Sequence, residues 1–152
     1  MRYALKIASG FVDKSDLLAI IFQIDCGSQG KRFENNCYRL VKETLDWGES
    51  KKFCQNLTSN LVSIHTKDVM EFLKREVLVG HKENTWIGGY EFDGMWKWED
   101  GSVLDSTNSN WASDQPNGQH DNIVDCAYLY ADAQFKWADA ACDFEMSFIC
   151  MF

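Results

Sequence analysis

Six cysteines, three histidines and a polar stretch between Gly101 and Asp125 hold most of the chemistry this chain could perform. Cys26, Cys37, Cys54, Cys126, Cys142 and Cys150 are even in number and include no Cys-x-x-Cys pair. Such a set reads as three disulfides more readily than as a zinc or redox centre, which implies an oxidising compartment and a secreted or extracellular protein. The competing reading is six reduced thiols buried in a cytosolic protein. His65, His81 and His120 have no nucleophile or metal-ligand spacing around them, and no triad or phosphate loop is evident, so the chain does not read as an enzyme. Asn56-Leu57-Thr58 is an N-glycosylation sequon, usable at Asn56 only if the chain is secreted.

These residues need a frame, and 152 residues make one domain the default. Acids outnumber bases 23 to 15, giving a formal charge of −8 with no Lys/Arg cluster, so a nucleic acid is excluded as a first partner. Residues 1–25 read as a leader or non-standard signal segment: Arg2 and Lys6 precede an apolar stretch cut by Asp13, Lys14 and Asp16. An ordinary N-terminal helix or strand is the alternative. The turn-rich segment from Cys26 to Leu40 predicts a small hairpin. Asp46-Trp47-Gly48-Glu49 predicts a capped helix start, with Trp47, Ser50, Cys54 and Leu57 at helical spacing. A second helix is expected from about Lys67 to Val79, its stripe formed by Val69, Phe72, Leu73 and Val77.

Between the helices, Leu61 to Ile64 is a short strand candidate. After residue 85 the period becomes alternating. Trp86 to Tyr90 and Met95 to Trp98 predict strands around an Asp93-Gly94 turn, and Ala127–Tyr130, Phe135–Trp137 and Phe148–Met151 predict three more. Helices first and strands afterwards is an α+β layout. From Gly101 to Asp125 both periodicities stop. A structureless loop of that length is usually functional, and Trp111 within it calls for burial. A tolerated surface insertion is the plainer reading.

In chain order, Cys26-x10-Cys37-Tyr38, Trp47-x2-Ser50-x3-Cys54, Trp86-Ile87-Gly88-Gly89, Trp96-Lys97-Trp98, Gln115-Pro116-Asn117, Asp125-Cys126, Trp137-Ala138-Asp139 and Cys142 to Cys150 form a series. Over residues 26–152 the chain resembles the C-type lectin-like domain. Six cysteines allow fifteen connectivities; the resemblance implies Cys26–Cys37, Cys54–Cys150 and Cys126–Cys142. It also implies two helices packed on antiparallel sheets with a long loop region, and assigns Trp47, Trp86, Trp98, Trp111 and Trp137 to packing rather than to sugar stacking.

In lectins of this family the loop holds a calcium ion that sugar hydroxyls coordinate. The ligands are a Glu-Pro-Asn or Gln-Pro-Asp triplet, a Glu two residues before the loop cysteine, and the Asn-Asp of a Trp-Asn-Asp strand. Here Gln115 and Asn117 match the triplet as two neutral amides, and Asp139 matches the final Asp. Val124 stands in place of the Glu and Ala138 in place of the Asn, with Asp121 a candidate replacement carboxylate. A cis Gln115–Pro116 bond would aim both flanking side chains at one ion. Asp125 matches a position that usually faces away from the ion, and His120 could present its imidazole to a sugar.

Calcium takes six to eight oxygens and its affinity follows carboxylate count, so Gln115, Asn117, Asp121 and Asp139 imply at best a weak site. The alternative is a polar loop held by its own hydrogen bonds. The resemblance therefore implies a carbohydrate-binding module for glycans or glycoproteins, with weak or calcium-independent recognition. A lectin-like module that binds a protein or other non-sugar ligand, its calcium site lost, is the alternative function.

Overall fold

The computed structural model describes residues 26–105, 109–118 and 124–152. The leader expected at 1–25, and His120 and Asp121 in the loop, lie outside the described residues. Strands β1 (Lys31–Phe33) and β2 (Asn36–Leu45) form the expected N-terminal hairpin, tied to its approach by Cys26–Cys37. Helix α1 (Trp47–Asn56) starts where the capping pattern placed it: Asp46 Oδ1 accepts from the Glu49 amide at 2.7 Å. Trp47, Ser50 and Cys54 are its buried stripe, whereas Leu57 is 39% exposed at the C-terminal cap and does not join it.

Strand β3 is only Asn60–Leu61. The expected strand over Leu61–Ile64 stops short, although Val62, Ser63 and Ile64 stay buried. Helix α2 (Lys67–Phe72) is capped by the Thr66 hydroxyl and widens over Leu73–Val77, where the Leu78 amide reaches back five residues to Leu73 O at 2.8 Å. Strands β4 (Thr85–Phe92) and β5 (Met95–Trp98) flank the Asp93-Gly94 turn, both of whose φ angles are positive, 54° and 73°. Strands β6 (Asp125–Tyr130), β7 (Lys136–Ala141) and β8 (Met146–Met151) complete the set. Phe135 was expected to open a strand; instead it sits in a turn at φ 59°, and β7 begins one residue later.

The strand order is β1-β2-β8-β4-β6-β7, with β3 on β8 and β5 on β4. Successive residues of the central strands feed two different cores, as the two-residue period requires. Trp86, Cys126, Phe148 and Cys150 join Trp47 and Cys54 of α1. Their neighbours Ile87, Ala127 and Ile149 join Val69, Met70 and Phe72 of α2. The sheet is therefore buried on both faces, one helix to each. At Gly88 an added Cβ would meet the Leu61 carbonyl oxygen at 2.9 Å, and at Gly89 the Ala127 Cβ at 2.8 Å, so Trp86-Ile87-Gly88-Gly89 marks a close backbone approach.

Three disulfides are present: Cys26–Cys37, Cys54–Cys150 and Cys126–Cys142. The second joins α1 to β8 across 96 residues of sequence; the third ties β6 to the end of β7 at the base of the long loop.

Candidate functional site

The long loop is fastened to β7 rather than left as a surface insertion. Trp111 pairs with Trp137 as an isolated bridge, and the backbone bonds Trp137 N–H to Asn110 O and Ala112 N–H to Trp137 O are both 2.8 Å. The Trp111 indole packs edge-on against Trp96 (centroids 4.8 Å apart) and Trp137 (5.9 Å), which explains a large aromatic in a polar segment. Trp47, Trp86, Trp98 and Trp137 are buried, in keeping with a packing role. Trp47 donates its indole N–H to Ile87 O at 2.8 Å and Trp86 to Leu45 O at 3.1 Å.

Three of the expected site residues come together. The Gln115–Pro116 bond is cis. Asp139, 6% exposed on β7, accepts the Asn117 amide on Oδ1 and the Gly118 amide on Oδ2, each at 2.9 Å. Gln115 Oε1 accepts the Asp139 amide at 3.3 Å, closing the ring of contacts. The geometry is a carboxylate holding two consecutive loop N–H groups, with the side-chain amide of Gln115 locked to the same strand. Gly118 was not singled out from sequence; its signal is the Asn117-Gly118 pair, a turn dipeptide, and its φ is 54°.

Each Asp139 oxygen accepts one backbone amide, and Gln115 Oε1 accepts one more, which leaves each of these oxygens a further lone pair. Val124 is 56% exposed and Ala138 1% exposed across from Tyr128; neither offers an oxygen from its side chain. Among the described residues no group of three or more His, Cys, Asp or Glu is placed to hold a metal ion. Asp125 is buried at the start of β6.

The other histidines serve the frame. His65 Nε2 lies 2.7 Å from Asp100 Oδ2 at the surface. His81 Nε2 lies 3.0 Å from both Thr85 Oγ1 and Ser147 Oγ, and burial pushes its pKa down. The two hydroxyls donate to Glu83 O and Asn84 O, and both residues are fully buried, so Ser147 is no accessible nucleophile.

The model of the lectin C-type domain matches residues 43–152, most of the chain. The chain belongs to the C-type lectin domain family. It is 31% identical over 130 residues to C-type mannose receptor 2 of Homo sapiens, covering 84% of this chain and 8% of that protein. It is 30% identical over 129 residues to asialoglycoprotein receptor 1 of Mus musculus, covering 82% of this chain and 44% of that protein. The chain thus spans less than half the length of these curated relatives. Among solved structures, the mouse scavenger receptor C-type lectin carbohydrate-recognition domain superposes with a TM-score of 0.71 at 34% identity, covering 84% of this chain and 95% of that one. No helix among the described residues is long and apolar enough to cross a membrane.

Proposed function

We propose that this C-type lectin domain is an extracellular carbohydrate-binding module whose loop recognises glycans or glycoproteins with little or no help from calcium. The observation that carries the reading is the closed ring of Gln115, Asn117, Gly118 and Asp139. It fastens residues 115–118 of the loop to β7 by internal hydrogen bonds, which supports a loop that needs little from an ion. A calcium site drawing on only the Asp121 and Asp139 carboxylates would have an affinity of roughly millimolar or weaker. Gln115, Asn117, Asp121 and Asp139 are the proposed sugar contacts, and Asn56, exposed at the end of α1, is the proposed glycan acceptor.

One observation favours a second reading. Val124 puts an exposed apolar side chain where a sugar-binding relative carries a carboxylate, and such a surface suits a protein or other non-sugar ligand. A glycan array run with calcium and again with chelator separates the two. Glycan binding that survives chelation is the expected result. Binding abolished by chelator would overturn the calcium-independent part, and no binding in either condition would transfer the site to a non-sugar ligand.

A further inference from the structure

At the opposite end of the strand order from β7, a groove of 380 Å³ runs beside the Cys26–Cys37 disulfide. Its walls include Ser28, Gln29, Arg39 and Phe152. Cys37 and Phe152 exchange both backbone hydrogen bonds, 2.9 and 3.2 Å, so the floor is strand-rigid. The Phe152 side chain is 42% exposed. Arg39 lies two residues along β2 from Cys37 and therefore on the same face; Arg32, paired across from Cys37 on β1, adds a second guanidinium to that face.

Arg39 is the unusual member. Among the described residues its Nε, sealed from solvent, has no hydrogen-bond partner, and the residue forms no ion pair. The sealed Nε is itself closed to a ligand, so the part of Arg39 that lines the groove is what offers a positive charge to match. A planar fork of donors beside an aromatic face suits an oxyanion carried on an apolar or ring-shaped group.

We propose that this groove is a second binding site, which takes the sulfate or carboxylate of an acidic organic ligand such as an acidic sugar derivative. Arg39 grips the anion and Phe152 covers the ring that bears it. The groove's lining includes none of the described residues of the long loop, and the proposal does not depend on how the loop recognises its ligand.

The test is calorimetric titration of the intact chain with phenyl sulfate, glucuronate, inorganic sulfate and phenol. Phenyl sulfate or glucuronate should bind at least about tenfold more tightly than inorganic sulfate, and phenol should not bind measurably. Arg39→Gln should abolish binding of every anion; Phe152→Ala should weaken the ring-bearing anions while leaving inorganic sulfate unchanged. Phe152→Ala retains the backbone bonds to Cys37, and disulfide mapping with thermal melts confirms that each variant is folded. Unchanged organic-anion affinity in folded Arg39→Gln, or no binding by the parent at about 10 mM ligand, overturns the proposal. Inorganic sulfate binding as tightly as phenyl sulfate would overturn the role of Phe152.

Discussion

Asp139 is where a conservative change should have the most local consequence. Its two oxygens each accept a loop amide at 2.9 Å, from Asn117 and Gly118, and the carboxylate is almost wholly buried. A hydrogen bond to a charged group contributes about 1.5–3 kcal/mol. Asn117 and Gly118 are exposed, so water replaces part of what is lost, and the low end applies. Asp139→Asn has nearly the same shape but turns one acceptor into a donor facing an N–H. It loses one charge-assisted bond and weakens the other, about 1.5 kcal/mol of local stability. Amide hydrogen exchange reads this directly. Asn117 and Gly118 should exchange about tenfold faster in Asp139→Asn, and faster again in Asp139→Ala, while the Gly88 amide in the core is unchanged. Parental exchange rates at both loop amides in folded Asp139→Ala would refute the claim that this carboxylate holds the loop.

The long-range disulfide should matter most to the fold: removing Cys54–Cys150, which spans 96 residues, should cost about 4–5 kcal/mol in unfolded-state entropy, against about 3 kcal/mol for Cys26–Cys37, as urea melts of paired alanine variants would measure. Glu99 accepts the Leu61 amide at 2.7 Å and the Gln55 side chain at 3.2 Å, yet burial raises its pKa despite those bonds. The folded state therefore holds the Glu99 proton more tightly than the unfolded state does, so its contribution is fullest below the ordinary glutamate range and is lost as pH rises through the raised value. Glu99→Gln keeps an acceptor for Leu61 and should be more stable than the parent at about pH 7, the difference vanishing towards about pH 3 in paired thermal melts; an advantage that persists unchanged in acid would refute the titration argument.

Local chemistry was legible from the residue order. Asp46 three residues before Glu49, the Asp93-Gly94 turn and the two-residue alternation of the later strands each act over a few residues, so they can be read without the fold. Their errors are local too: Leu57 keeps the helical spacing but falls past the last turn, and Phe135 is apolar yet occupies a left-handed turn. Residue order and family resemblance together brought Gln115, Asn117 and Asp139 to one site. That Asp139 accepts two loop amides was set only by the tertiary structure, because hydrogen bonds across 22 and 21 residues leave no local mark in the sequence. The same holds for the two cores. Continuous apolar runs such as Trp86-Ile87 and Phe148-Ile149 show that both faces are covered, but not that α1 takes one and α2 the other. Arg39 carried no signal at all. A buried guanidinium N–H with no partner among the described residues is a fact of packing in space, which neither residue order nor an acid-rich composition announces.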